Sequence, residues 1–312
     1  MNIVFCGTPA FAVPALRALL QAADFSVRLV VCQPDRPSGR GMELTAPPTK
    51  RLALERGIPV AQPERIKNND EFRELLEDAQ PEAIAVVAYG RILPPWMLAL
   101  PPLGNINLHA SLLPKYRGAA PVQWAIANGE SVTGNTTMRL DEGLDTGDIL
   151  LRQELAISDD DTSATLLARL AEAGAPLLVE TLRRLQAGTI TPTPQDHRAA
   201  TPAPPLKKED GQVDFRRTAS EIANRLRGFT PWPGAYTAFR GKTLNLWQLR
   251  PATAPGEPLA PGELRSATAQ LFVGCGGATA LEIVELQPQG KRRLSARDFL
   301  NGYRPQPGER LG

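Results

Sequence analysis

Up to Gly188, short apolar runs alternate along the chain with stretches whose apolar residues return every three to four positions. Asn2–Cys6 is such a run and meets the turn Gly7-Thr8-Pro9. Phe11–Ala22 then carries apolar residues at helical spacing, and Ser26–Cys32 reads as a strand. Ala83–Ala88 is almost continuously apolar, as a strand buried on both faces of a parallel sheet must be. Asn105–His109 is a further short strand. Thr162–Ala187 predicts a long helix, with Leu166, Leu170, Leu177, Leu178, Leu182 and Leu185 on one face and Gly188 as its stop. Alternation of this kind predicts an α/β fold, a Rossmann-like, doubly wound and mostly parallel sheet.

From Thr189 to Lys208 the periodicity disappears into proline, threonine and alanine, the composition of a linker. Beyond it, one predicted helix at Ala219–Arg227 precedes the strand-like runs TLNLWQL, AQLFVGC and ALEIVEL, separated by Gly- and Pro-rich turns. These predict a small β-barrel. The expected organisation is therefore a catalytic α/β domain over 1–188, a linker over 189–208 and a β domain over 209–312. One segment breaks the first pattern: Gln33–Lys50 contains four prolines and two glycines, and is expected to be neither helix nor strand. Connections that long inside a compact domain usually serve function or are disordered, and Arg36 and Arg40 suit an anionic contact.

Composition narrows the picture. With 42% hydrophobic and 22% charged residues the chain reads as soluble and globular. The start, MNIVFCGTPAF, lacks a signal-peptide pattern, and no run approaches the ~18 apolar residues of a membrane span. A cytoplasmic protein without a membrane partner, acting as a monomer, is expected. Cys6, Cys32 and Cys275 are far apart, and for the two that lie in apolar, strand-like runs the expectation is a small buried thiol. The net charge of +2 hides an asymmetry: residues 1–204 hold 19 Lys+Arg against 23 Asp+Glu, and residues 205–312 hold 16 against 10. A basic C-terminal third suits a polyanionic partner.

The chain has two histidines. His197 lies in the linker and is expected to be an exposed bystander. His109 ends a strand two residues after Asn107, so amide and imidazole project from one face at the carboxyl edge of a parallel sheet, where such sheets bind ligands. The stretch MRLDEGLDTGDILL adds Asp141, Asp145 and Asp148 on a loop folded tightly by Gly143 and Gly147. Asn, His and Asp without an obvious nucleophile fit acyl transfer directly to an amine, with amide and imidazolium stabilising the oxyanion. A Ser-His-Asp hydrolase built on Ser111 lacks the G-x-S-x-G elbow. Metal catalysis lacks ligand spacing, and Gly7-Thr8-Pro9 is no nucleotide-binding fingerprint.

These residues resemble a known family. NLHASLLPKYRGAAP is similar to the signature of the folate-dependent formyltransferases, and MRLDEGLDTGDIL to their aspartate loop. FCGTPAFAVPAL, QPDRPSGRG, VVAYGRILP, FTPWPGAYT and LSARDFLNGYRPQPGERLG extend the resemblance over essentially the whole chain, toward the branch of the family that acts on methionyl-tRNA in translation initiation. The resemblance implies a Rossmann-like catalytic domain followed by an OB-like barrel, 10-formyltetrahydrofolate as co-substrate, no metal, and initiator methionyl-tRNA as acceptor. It implies that Asn107 and His109 hold the oxyanion and that Asp145 orients and charges His109. Ser111, Leu112, Leu113 and Pro114 would line the tetrahydrofolate site. Tyr89, Gly90, Arg91, Ile92 and Leu93, with the loop from Asp141 to Asp145, would shape the pterin pocket. The Pro34–Pro48 loop, with Arg36 and Arg40, would enter the acceptor end of the tRNA, and Lys207 and Lys208 are further expected tRNA contacts.

The chain departs from the family pattern at Met42-Glu43, where lysines are usual, at Pro202 and Pro205, and at Asn135, where a valine is usual. Asn135 is expected to satisfy its amide near the surface. The competing functions are an N-formyltransferase for a nucleotide-linked amino sugar, a 10-formyltetrahydrofolate hydrolase, and a nucleic-acid-binding protein without catalysis.

Overall fold

The computed structural model of the protein describes residues 1–38 and 43–312. Its elements in chain order are β1 (Asn2–Gly7), α1 (Val13–Gln21), β2 (Ser26–Val31), β3 (Arg36–Ser38), β4 (Glu43–Thr45), α2 (Pro48–Glu55), β5 (Val60–Ala61), α3 (Asp70–Asp78), β6 (Ala83–Val87), α4 (Pro95–Leu98), β7 (Asn105–His109), α5 (Pro121–Ala127), β8 (Val132–Arg139), β9 (Ile149–Ala156) and α6 (Ser163–Gln186). After these come α7 (Ala219–Gly228), β10 (Ala235–Phe239), β11 (Lys242–Ala252), β12 (Leu264–Ala267), β13 (Gln270–Gly274), β14 (Ala280–Pro288), β15 (Leu294–Ser295) and α8 (Ala296–Tyr303). The chain divides into two compact units. The first is Met1–Pro121, Val132–Ala156 and Leu167–Pro204; the second is Val122–Ser131, Ile157–Leu166 and Pro205–Gly312.

In the first unit a seven-stranded sheet runs β5-β2-β1-β6-β7-β8-β9. Its pairs from β5 to β7 are parallel, and β8 and β9 close one edge antiparallel. The predicted Rossmann-like, mostly parallel sheet is present. Alternation along β1 explains the two layers: Ile3 and Phe5 join a core with residues of α1 and α6, whereas Val4 and Cys6 join a second core with Phe72 and Leu76 of α3 and Met97 of α4. The chain order reverses between β1 and β6, and their carboxyl ends meet at Gly7 and Val87. A Cβ on Gly7 would lie 2.8 Å from the Val87 carbonyl oxygen, so glycine is what lets the chain turn there.

Two expectations fail in this unit. Gln33–Lys50 is not devoid of secondary structure: β3 and β4 pair antiparallel, with Pro37 opposite Leu44, and α2 begins at Pro48. A two-stranded ribbon has a free edge on each strand, so a proline lacking N–H can sit there. At the first turn of a helix that donor would be unpaired anyway. The ribbon's root is fixed where Lys50 Nζ donates to Asp35 (2.8 and 2.9 Å) and to Gln62 Oε1 (2.7 Å). Gly39, Arg40, Gly41 and Met42 lie outside the described residues. The second failure is Asn135, which is buried rather than near the surface. β8 faces α6, and Asn135 Nδ2 donates to the Leu170 carbonyl at 2.9 Å. One step along the same face, the Thr137 hydroxyl meets that of Thr181 at 2.8 Å. A polar seam thus replaces aliphatic packing here.

In the second unit an antiparallel sheet runs β10-β11-β14-β13-β12, with β15 paired to β14. Where the sequence predicts a small OB-like β-barrel, an antiparallel sheet domain is present. Its core gathers Leu244, Leu246, Leu271, Val273, Leu281 and Ile283 from the strands, Ile222 and Leu226 from α7 and Phe299 from α8. α7 starts with a capping box in which the Thr218 hydroxyl accepts from the Glu221 amide and the Glu221 carboxylate accepts from the Thr218 amide. Residues far upstream complete this unit: Trp124 of α5 sets its ring edge-on to Phe229 at 5.3 Å, and Arg227 donates to the carbonyls of Ser158 and Asp161, each at 3.0 Å.

All three cysteines are buried free thiols, one more than the strand-like runs led one to expect. Burial pushes the Cys32 thiol up to about 11 and that of Cys275 up to about 12, so both are protonated and unreactive at neutral pH. Among the described residues no helix is long and apolar enough to cross a membrane.

Candidate active site

β7 places three polar side chains on one face, while Ile106 and Leu108 enter the core on the other. Asn105, deepest of the three, donates to the carbonyls of Met97 (3.1 Å) and Leu98 (3.0 Å) and so ties β7 to α4. Asn107 is different. It is 9% exposed, and among the described residues its amide makes no side-chain hydrogen bond. Among the described residues the sealed, unpartnered polar atoms belong to Tyr89, Asn105, Asn135 and Thr237, so the Asn107 amide remains open to solvent and to a ligand.

His109, 7% exposed, has acceptors on both sides. One ring nitrogen, Nε2, is 3.0 Å from the Tyr116 carbonyl oxygen, which can only accept, so Nε2 carries a proton. The other, Nδ1, faces Asp145 Oδ2 at 3.7 Å, an ion-pair distance rather than a hydrogen bond. Asp145 is held in turn: its Oδ2 accepts from the Gly118 N–H at 2.8 Å, and its backbone sits at φ +54°. That left-handed conformation costs a non-glycine residue roughly 1–2 kcal/mol. Sequence spacing anticipated that Asn107 and His109 share a face, and the fold brings Asp145 to His109 across 36 residues of chain.

The surrounding loops are stitched together by backbone and amide contacts. At the carboxyl ends of β1, β2 and β6, the Gln33 amide donates to the Tyr89 carbonyl (3.0 Å), and the Thr8 hydroxyl accepts from the Gln33 N–H (3.2 Å). The Tyr89 ring is buried in the core beside Cys6 and Leu29, so what Tyr89 presents to the edge is its backbone; burial pushes its phenol upward. Gly90 turns the chain at φ +74°. Arg91 donates to the Glu64 carbonyl at 2.6 Å, and Leu93 is buried. Ile92 is 88% exposed and Leu144 68% exposed, an unusual pair of bare aliphatic side chains on the two loops expected to shape the pterin pocket. Asp141 keeps its loop closed, accepting from the Gly143 N–H (3.0 Å) and the Thr146 hydroxyl (2.7 Å).

Ser111 is buried and its hydroxyl donates to the Lys115 carbonyl at 2.7 Å, the bond of a structural serine. Its carbonyl accepts from Thr136, whose oxygen in turn accepts from the Leu113 N–H. These bonds fix the Ser111–Pro114 turn, with Leu113 buried and Leu112 and Pro114 half-buried. Arg36 is exposed and donates to Gln33 Oε1 at 3.2 Å; Lys207 and Lys208 are exposed.

Residues 189–208 have the composition of a linker, yet Gln195, His197 and Thr201 all reach this site through their side chains. Gln195 is buried and donates to the carbonyls of Asp145 (2.9 Å) and Gly147 (2.7 Å), while its oxygen accepts from Arg117. His197 is exposed as expected but is no bystander, because its Nδ1 meets Arg117 Nη1 at 3.2 Å.

The mostly parallel sheet carries an asparagine amide and a histidine–aspartate pair at its carboxyl edge, an arrangement able to serve acyl transfer, and comparison with relatives gives the class. Residues 1–182 match the formyl transferase family model, and residues 205–304 match that of the formyl transferase C-terminal domain. The chain belongs to the formyltransferase family. It is 61% identical over 312 residues to the methionyl-tRNA formyltransferase of Koribacter versatilis (strain Ellin345), covering 100% of this chain and 99% of the relative. Identity to the methionyl-tRNA formyltransferase of Acidobacterium capsulatum is 60% over 312 residues, with both chains covered fully (100% and 100%). The fold is similar to that of the N-formyltransferase from Helicobacter canadensis solved with folinic acid and dTDP-3-aminofucose, with a TM-score of 0.67 at 17% identity, over 92% of this chain and 99% of that one.

Proposed function

We propose that this chain transfers the formyl group of 10-formyltetrahydrofolate to the α-amino group of methionyl initiator tRNA. The observation that carries the reading is the unpaired amide of Asn107 beside His109, at the sheet edge of a chain 61% identical to a methionyl-tRNA formyltransferase. The amine nitrogen attacks the formyl carbon, and the carbonyl electrons move onto oxygen. Asn107 donates to that oxygen, and the charged ring of His109 stabilises it. Collapse breaks the bond to N10, which leaves with a proton, while the new amide nitrogen gives one up. His109 and Asp145 are the groups that can carry this proton. A free α-amino group titrates near pH ~8, so enough is nucleophilic at neutral pH without a covalent enzyme intermediate.

Folate is supported on this reading by the turn from Ser111 to Pro114, the backbone of Tyr89 and Gly90, and the bare side chains of Ile92 and Leu144. Asp141 acts by shaping its loop. Arg36, Arg40, Lys207 and Lys208 supply phosphate contacts, in line with the basic excess of residues 205–312. The test offers the protein 10-formyltetrahydrofolate with methionyl initiator tRNA, methionyl elongator tRNA, a nucleotide-linked amino sugar, or water alone. Formylation of the initiator is expected to dominate. Turnover on the sugar or on water instead would sink the proposal.

A further inference from the structure

The contacts of Gln195 close a ring of hydrogen bonds around the candidate site. Its two amide hydrogens go to the carbonyls of Asp145 and Gly147, and its oxygen accepts from Arg117 Nε (3.1 Å) and Nη2 (2.6 Å). Arg117 sits between Tyr116, whose carbonyl meets His109, and Gly118, whose N–H holds Asp145. Further along the same irregular segment, Thr201 accepts from the Tyr116 N–H through its hydroxyl (2.9 Å) and from the Arg117 N–H through its carbonyl (2.9 Å). The Ala203 N–H donates to the Arg117 carbonyl at 2.7 Å. Gly118, at φ +123°, has no room for a side chain, because a Cβ there would lie 2.6 Å from the Ala203 carbonyl oxygen. Gln195 is 6% exposed and every polar valence of its amide is filled.

We propose that Gln195, backed by Arg117, is a positioning residue for formyl transfer, acting through Asp145. A left-handed, non-glycine backbone persists only where its surroundings over-determine it. At Asp145 the carboxylate is fixed by Gly118 and the carbonyl by Gln195, so the carboxylate is aimed at His109 from both ends. Removing the Gln195 amide frees the Asp145–Gly147 backbone to relax and lets the carboxylate swing off the ring. The segment joining the two family-matched regions is thus part of the catalytic scaffold.

This inference rests on the proposed reaction, and the closing experiment separates the two. Steady-state kinetics with the acceptor that wild type formylates are measured for Gln195→Ala, Gln195→Met, Asp145→Asn and the double variant Gln195→Ala/Asp145→Asn. In parallel, 15N NMR of the histidine ring reads the environment of His109 without any acceptor. The expected result is a ~10- to 100-fold lower kcat for Gln195→Ala with KM for folate and acceptor changed less than about threefold. The His109 ring signals should move, and Gln195→Ala should add less than about twofold to Asp145→Asn, because both act on one group. Wild type inactive on methionyl-tRNA but active on another acceptor sinks only the proposed function. A folded Gln195 variant with wild-type kcat, or effects that multiply in the double variant, overturns the positioning role. Loss of fold in both the Ala and the volume-preserving Met variant overturns it too, since Gln195 would then determine the fold and not the position of Asp145.

Discussion

The polar residues at the carboxyl edge of β7 and the basic residues beyond Pro205 are held in opposite ways. At the sheet edge, His109, Asp145 and Gln195 are buried or nearly so, and each meets two or more fixed partners. In the second unit the cations are mostly exposed. Arg216 is paired with Asp214 at 2.8 Å, Arg240 with Glu309 at 2.7 Å, and Arg293 lies 3.3 Å over the Trp247 ring, all at the surface. Exposed pairs of this kind contribute little to stability, and such side chains can exchange a carboxylate for a phosphate at small cost. The difference reflects the tasks proposed. Holding an oxyanion demands atoms fixed to a fraction of an ångström, whereas a polyanion responds to charge density, which mobile side chains supply as well as fixed ones.

The comparison breaks first if the sheet edge tolerates change. Asn107→Ala and His109→Ala are each expected to lower turnover by about 10²-fold or more, the scale of a lost oxyanion donor, with substrate KM changed far less. Asp145→Asn is expected to be severely impaired as well, because a neutral amide provides no counter-charge to the ring. Steady-state kinetics on purified variants check all three, and near-wild-type turnover in any of them removes that residue from the mechanism.

Next in size is Gly118→Ala. The new methyl group meets the Ala203 carbonyl in a backbone conformation that L-residues avoid. A loss of ~1–3 kcal/mol in stability is expected together with several-fold lower kcat, read by denaturant titration and kinetics on the same preparation. A stable, fully active Gly118→Ala would show that the loop's geometry is dispensable.

The basic surface should respond more gently and differently. Lys207→Ala/Lys208→Ala is expected to weaken tRNA binding several-fold and to leave folate binding alone. Each lost phosphate contact flattens the dependence of log K on log salt by roughly 0.7–0.9. Binding isotherms across salt concentrations test this, and an unchanged slope would take these lysines off the interface.

The smallest effect concerns acid. Arg240 beside Glu309 holds that carboxyl well below its usual 4.5, down to about 2, and Arg216 does the same for Asp214, also to about 2. A carboxylate whose folded-state value is depressed contributes stability that is complete above its ordinary value and is lost as pH falls through the depressed one. Arg240→Ala should therefore melt slightly earlier than wild type above pH ~4.5, with the gap closing toward pH ~2. Both groups are substantially exposed, so the difference is small; a gap that widens in acid would contradict the assignment.

Local pattern was enough to read the α/β order of the first unit, the strand-rich character of the second, the long helix α6, and the placement of Asn107 and His109 on one strand face. Burial patterns repeat every two or 3.6 residues, and a local window records them. The charge asymmetry was legible too, because charge requires only counting. Three-dimensional packing was needed to reveal that Pro37 sits in a ribbon, that Asn135 lies in a buried polar seam, and that Trp124, Ser158 and Asp161 complete the unit beyond Pro205. It placed Asp145, which the family resemblance had singled out, beside His109, and it alone brought Gln195 to both Asp145 and Arg117. The last two contacts join residues 50 and 78 positions apart. A hydrogen bond between such distant residues needs one donor and one acceptor and imposes no periodicity on the chain around either, so the linker composition that hid Gln195 carried no trace of it.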